Sequence, residues 1–208
     1  MSGFDCVANA LVDDGWCVLP GFLSPAEVAA LVASSQARRA DFARAGVGRA
    51  GGHAVNGEIR GDEVLWLDDE GWAGADGPAD AADPAAALAL DRLEALRGEL
   101  NAGLYLGLAE LECHLAVYPE GRFYKRHLDQ HRGEDTRVVT IVLYLNPEWG
   151  EADGGELRLY LDDGSHRDVR PDGGTLAVFM SDRFEHEVLP ARRERWSLTG
   201  WYRRRARV

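Results

Sequence analysis

Residues 138–146 read Val-Val-Thr-Ile-Val-Leu-Tyr-Leu-Asn, and their alternation decides the fold class. In an extended strand, successive side chains point to opposite faces. One face of this stretch carries Val139, Ile141, Leu143 and Leu145, all aliphatic, while the other carries the polar groups of Thr140, Tyr144 and Asn146. The aliphatic face needs a cover of helices. The polar face needs a cavity where hydroxyls and an amide find partners, as inside a small β-barrel or a folded-over sheet that encloses a ligand. Short apolar or alternating runs separated by Gly, Pro, Asp and Asn recur at 113–118, 156–161, 174–180 and 195–202. Together with 137–146 they predict one antiparallel unit.

Upstream the pattern is helical. Phe4 to Leu19 predicts a short helix followed by a strand at Trp16-Cys17-Val18-Leu19, which Pro20-Gly21 ends. Ser24-Pro25-Ala26-Glu27 supplies a capping serine, a proline at the first helical position and a glutamate three residues after the cap, predicting a helix that runs into the early forties. Another helix opens at Asp83-Pro84, with Leu93, Leu96, Leu100 and Leu104 along one stripe. The class is therefore α+β, with helices covering the outside of a distorted β-sandwich. A chain of 208 residues suits one domain over 1–208: helical support at 1–110, a β core at 111–202 and a basic tail at 203–208.

Composition removes several classes of function. An apolar fraction of 46% opposes disorder, and no run approaches the roughly 18 apolar residues of a membrane span. A net charge of −12 repels a nucleic-acid backbone and favours a basic or neutral protein partner. Cys6, Cys17 and Cys113 form no CxxC pair, and the N-terminus lacks a signal-peptide layout, so reduced thiols in a cytoplasm are expected. The acidic run at 62–83 reads as a solvated loop, and the terminal arginines as a solubilising tail. Gly46 to Gly51 fits the dinucleotide fingerprint by letter, but it follows a helix instead of joining a strand to a helix, so residues 46–61 read better as a glycine-rich flap.

In His127-Leu128-Asp129 an imidazole and a carboxylate two residues apart project side by side from an extended segment. His186 lies in a later strand that antiparallel pairing can bring opposite them. Two imidazoles and one carboxylate make the facial triad that holds iron(II) and leaves positions open for a cosubstrate and O₂. Leu189 to Glu194 reads as a hairpin that returns Arg195 on the neighbouring strand, with Ser197, Thr199 and Trp201 on its cavity-facing side. An arginine inside a barrel calls for an anion. A dicarboxylate of about five carbons would chelate the metal at one end and pair with Arg195 at the other, with Tyr144 sharing the far carboxylate. A local rival is His127, Asp129 and His131, a compact set suited to zinc and hydrolysis, which leaves Arg195 without a use. His53, His114 and His166 have no motif context and read as structural or exposed.

These residues, with Trp149, Gly154-Gly155-Glu156-Leu157, His186-Glu187-Val188, Glu58 to Asp62 with Trp66, Val117-Tyr118-Pro119 and Phe123 to Arg126, resemble the Fe(II)- and 2-oxoglutarate-dependent oxygenases of the prolyl 4-hydroxylase superfamily. The likeness is best to the hypoxia-type prolyl hydroxylases and their bacterial relatives. The resemblance implies a double-stranded β-helix (jelly-roll, cupin-like) core with N-terminal helices on its major sheet. It implies His127, Asp129 and His186 as iron ligands, Arg195 with Tyr144 on the 2-oxoglutarate 5-carboxylate, and Tyr118, Leu157, Thr199 and Trp201 around the cosubstrate. Arg60, Tyr124 and Trp201 would meet the substrate. Fe(II), 2-oxoglutarate and O₂ are the implied cofactor and cosubstrates, with ascorbate as an accessory reductant. The implied reaction is hydroxylation at C4 of a prolyl residue in a protein or peptide. A free amino acid or small metabolite is the alternative substrate, and a non-catalytic metal- and carboxylate-binding barrel the alternative class.

Overall fold

The computed structural model describes residues 4–46, 55–67, 83–130 and 136–205. Its elements are α1 (Asp5–Asp13), β1 (Trp16–Leu19), α2 (Pro25–Ala37), β2 (Ala43–Arg44), β3 (Glu63–Trp66), α3 (Pro84–Leu104), β4 (Leu108–Tyr118), β5 (Tyr124–His127), β6 (Arg137–Tyr144), β7 (Leu157–Tyr160), β8 (His166–Val169), β9 (Leu176–Met180), β10 (His186–Val188) and β11 (Arg195–Arg204). The start of α2 is the expected capping box, in which Ser24 N donates to Glu27 Oε2 at 2.7 Å and Glu27 N donates to Ser24 Oγ at 3.4 Å. The helix ends at Ala37, short of the expected early forties. A 3₁₀ turn at Arg39–Asp41 follows, and the chain then extends to pair β2 with β3, a hairpin partner the sequence reading lacked. Asp83 caps α3 by accepting from Ala85 N at 2.7 Å, and the helix buries Leu93, Leu96 and Leu100 completely.

The strands form two antiparallel sheets. The large one runs β1-β9-β6-β11-β4-β3-β2 and the small one β5-β10-β7-β8. Alternation along β6 works as its sequence demands. Val139, Ile141 and Leu143 pack outward with Leu31, Leu93, Leu96 and Leu100 of the helices, whereas Val142 and Tyr144 face inward with Leu157, Leu159, Phe179 and Phe184 between the sheets. This is a double-stranded β-helix with its helices on the major sheet.

Three expectations need correction. Leu189 to Glu194 is not a hairpin, because β10 belongs to the small sheet while β11 pairs with β4 and β6 in the large one. The segment follows the strand margin, with Leu189 N donating to Glu156 O and Ala191 bridging Gly154, and then crosses between sheets. Arg203 and Arg204 belong to β11, not to a tail, and Arg203 Nη1 stands 3.3 Å from carboxylates of both Glu110 and Glu112.

Asn146, expected to look into the cavity, latches the strand end instead. Its Nδ2 donates to the carbonyls of Pro171 at 2.9 Å and Trp196 at 3.0 Å, and its Oδ1 accepts from Trp196 N at 2.7 Å. Asn146→Ala would strand these buried groups, so the variant should lose about 3 kcal/mol of unfolding free energy, read from urea denaturation. Most of the fingerprint and of the flap (47–54, with His53), positions 68–82 of the acidic run at 62–83 and His131 lie outside the described residues, whereas the start of that run is no solvated loop: Asp62 is buried and Glu63–Trp66 form β3. No helix among the described residues is long and apolar enough to cross a membrane.

Candidate active site

The small sheet positions two imidazoles. His127 ends β5 and His186 opens β10, and the two are cross-strand partners. Asp129, just beyond β5, is buried between them. Its Oδ1 lies 3.5 Å from His127 Nε2 and its Oδ2 lies 3.5 Å from His186 Nε2. One ligand atom from each residue falls within 4.8 Å of the other two. Each Nδ1 meets a main-chain carbonyl, Lys125 O at 2.8 Å for His127 and Phe184 O at 3.1 Å for His186. Those partners assign the proton to Nδ1 and leave each Nε2, 3.5 Å from an Asp129 oxygen, as the available donor atom.

Burial opposes the charge of Asp129, but the neighbouring His186, His127 and the indole N–H of Trp201 outweigh it and hold the carboxyl well below the usual carboxylate range. The carboxylate also accepts from Thr140 Oγ1 at 2.8 Å, itself 2.8 Å from Ser181 Oγ. Burial pushes His186 down to about 4, against the opposing pull of Asp129. An ionised carboxylate beside two imidazoles, each able to lend a ring nitrogen, is the donor set a divalent metal requires. Aromatic rings fix the imidazoles: Tyr124 stacks on His127 with centroids 3.6 Å apart, and Phe179 stands edge-on to His186 at 4.9 Å.

These groups open on a cavity of about 510 Å³ whose far wall is the large sheet. There Arg195, the first residue of β11, is 1% exposed. Its Nε donates to Gly155 O at 2.7 Å, but its Nη2 has no hydrogen-bond partner among the described residues, and neither has the fully buried Tyr144 Oη. The guanidinium carbon lies 5.3 Å from the Tyr118 ring and 5.2 Å from the Tyr144 ring. Burial raises the Tyr144 phenol above its ordinary range, which keeps it a donor. Gly155 has a positive φ of 74°, and a Cβ there would stand 2.8 Å from Ala191 Cβ and 3.2 Å from Arg195 Cδ, so only glycine brings this carbonyl onto the arginine. A permanent cation and a phenol, both buried and both with an unpaired donor, fit one carboxylate. The residues present therefore fit a metal at one end of the cavity and a diacid's far carboxylate at the other.

Of the other residues singled out from sequence, Arg60, Tyr118, Tyr124, Leu157, Thr199 and Trp201 line the cavity. Tyr144 is not among the residues that line the cavity, but its ring lies 5.2 Å from the Arg195 guanidinium carbon, and Ser197 is buried with its Oγ 3.3 Å from Thr199 Oγ1. Arg60 is at once on the wall and ion-paired, at 2.6 and 2.8 Å, with the buried Asp62. Sequence reasoning missed Glu112, His114 and Arg137, and gave Trp66 and Arg203 no place in the cavity that they line. The signal for two of them was present: in β4, Glu112 and His114 share the alternation of Ala116 and Tyr118, once the strand is extended back to Leu108. Arg137 stacks on Trp201 at 3.6 Å and donates to Glu112 at 2.7 Å. The lining carries Arg60, Lys125, Arg126, Arg137 and Arg203, so the acidity of the whole chain does not describe this cavity.

Inside a double-stranded β-helix, two imidazoles and a carboxylate that face a buried arginine define the non-haem iron oxygenases that take an oxo-diacid as co-reactant. Residues 113–203 match the family model described as the 2OG-Fe(II) oxygenase superfamily. A solved Pseudomonas putida prolyl-4-hydroxylase is 42% identical, with a TM-score of 0.83 over 97% of this chain and 98% of that one. A Trichoplax adhaerens prolyl hydroxylase, solved with a hypoxia inducible factor peptide fragment, is 29% identical with a TM-score of 0.79 over 95% and 87%. Human Egl nine homolog 1 is 32% identical over 149 residues, which are 70% of this chain and 33% of that protein, so the chain spans about a third of this curated relative. The chain belongs to the 2OG-Fe(II) oxygenase superfamily. Membership brings Fe(II), 2-oxoglutarate and O₂ as cofactor and cosubstrates.

Proposed function

We propose that this protein is an Fe(II)- and 2-oxoglutarate-dependent dioxygenase that hydroxylates C4 of a prolyl residue in a protein or peptide, releasing succinate and CO₂. One observation carries the reading: a three-donor cluster and a buried arginine, whose Nη2 has no partner among the described residues, line a single cavity. His127, Asp129 and His186 would hold the metal. Arg195 and Tyr144 would hold the 5-carboxylate. Bound iron, with 2-oxoglutarate and O₂, supplies an oxidant able to take hydrogen from an unactivated C–H bond.

The chain's own residues supply geometry and shelter. The Lys125 and Phe184 carbonyls keep both Nε2 atoms unprotonated and aimed, and Thr140 fixes one oxygen of Asp129. Gly155 O fixes the plane of the guanidinium. Tyr118, Leu157, Val188 and Trp201 wall the cavity and exclude water from the reacting atoms. A peptide substrate is supported by the prolyl hydroxylase relatives, among them the Trichoplax adhaerens structure with its peptide. All three cysteines are unpaired thiols, which supports a cytoplasmic setting.

The test is incubation with Fe(II), 2-oxoglutarate, ascorbate and proline-containing peptides, followed by mass spectrometry and succinate assay. The expected result is a gain of one oxygen on a prolyl residue, matched by succinate. A gain on a free amino acid instead would overturn the peptide substrate. Absence of any 2-oxoglutarate turnover would leave a binding barrel.

A further inference from the structure

His114 lies in the inner row of β4, paired with Thr199 of β11 on one side and Trp66 of β3 on the other. The side chain forms part of the cavity wall, and the residue is 1% exposed. Its ring stands edge-on to Trp66 at 4.8 Å and to Trp201 at 5.7 Å. Apart from a contact with its own main chain, neither Nδ1 nor Nε2 has a hydrogen-bond partner among the described residues. Buried polar groups are nearly always paired, and an unpaired one costs stability, so a leucine of similar volume would serve better if packing were the only task.

Burial and the Arg60 charge push His114 down to about 4, so the ring is neutral at ordinary pH. A neutral imidazole offers one N–H donor and one bare nitrogen acceptor in a single plane. A carboxylate would confront the bare nitrogen with another acceptor, and an ammonium would meet Arg60 and Arg137 on the same lining. A peptide unit, with one N–H, one C=O and no net charge, matches the ring. Trp66, whose indole is exposed, also provides flat apolar surface against which an extended chain can lie.

We propose that His114 is a specificity-determining residue that hydrogen-bonds a main-chain amide of the substrate where the peptide passes Trp66 and Trp201. This rests on the reading of the protein as a peptide hydroxylase.

The experiment compares the unaltered protein with His114→Leu and His114→Gln, using a peptide that the unaltered protein hydroxylates. Three quantities are read: KM for the peptide, KM for 2-oxoglutarate and the thermal midpoint. His114→Leu should raise the peptide KM about tenfold while the 2-oxoglutarate KM stays within about twofold. Its thermal midpoint should equal or exceed that of the unaltered protein, because no unpaired nitrogen remains. His114→Gln, which keeps one donor and one acceptor, should recover most of the peptide affinity. An unchanged peptide KM in a stably folded His114→Leu would overturn the proposal, as would a lowered thermal midpoint in His114→Leu together with a glutamine variant that recovers no affinity. Failure of the underlying reading shows earlier and separately, as an unaltered protein that oxidises a free metabolite and no peptide, and that outcome removes the proposal with it.

Discussion

Asp129→Ala protein is expected to make no succinate above background, a loss of at least about 10³-fold, and to bind Mn(II) at least about 10²-fold more weakly. The carboxylate is the only anionic donor in the cluster, and it stands 3.5 Å from both Nε2 atoms. Without it, two imidazoles remain, too few donors and too little charge to retain a hard divalent ion. Unfolding will not explain the loss. The Asp129 charge is net favoured by its neighbours in the folded protein, so the metal-free alanine variant should melt several degrees below the unaltered protein, yet it should stay folded, because Thr140 keeps Ser181 as a partner. What should disappear is the rise in melting temperature on adding metal. Asp129→Asn keeps the shape and the Thr140 contact while removing the charge, and should behave like the alanine variant. Mn(II) affinity within about threefold of the unaltered protein in both variants would show that Asp129 is not a ligand.

Arg195→Ala should weaken 2-oxoglutarate binding by about 10²-fold or more, with a smaller effect on kcat at saturating cosubstrate. The guanidinium is almost wholly buried, oriented through Nε, and has an unused Nη2 beside an unused phenol. A carboxylate placed there gains charge-assisted bonds with no cost of reorganising the donors. Arg195→Lys keeps a charge but loses the planar fork and the Gly155 contact, so its affinity should fall between the two. Binding measured calorimetrically with Mn(II) in place of iron separates this from catalysis. Unchanged 2-oxoglutarate affinity in both variants would move the anchor elsewhere.

Much of this was legible before any coordinates. The alternation of Val139 to Leu145 divided helix-facing from cavity-facing side chains correctly because burial on one face and a cavity on the other impose a strict two-residue period. Ser24 to Glu27 signalled its own cap because the bonds involved span three residues. The Leu189 to Glu194 connection was not legible: turn-forming residues announce a change of direction, not which sheet receives the next strand. Asn146 misled for a related reason, since an amide's partners at Pro171 and Trp196 lie far along the chain. His114 carried no motif; alternation with Ala116 and Tyr118 puts it on the inner row of β4, but only the pairing of β4 with β3 and β11 sets it between two indoles.

The two halves of the proposed site are carried by opposing layers: both imidazoles belong to the four-stranded sheet, and the guanidinium and phenol belong to the seven-stranded one. Packed sheets stand about 10 Å apart, and here that spacing is set by the side chains wedged between them, Leu159, Phe179 and Phe184. Under the proposed assignment the molecule works as a caliper. The thickness of its hydrophobic filling gauges the length of diacid that can touch both jaws, so tolerance for a cosubstrate one carbon longer or shorter is written in residues that never contact it.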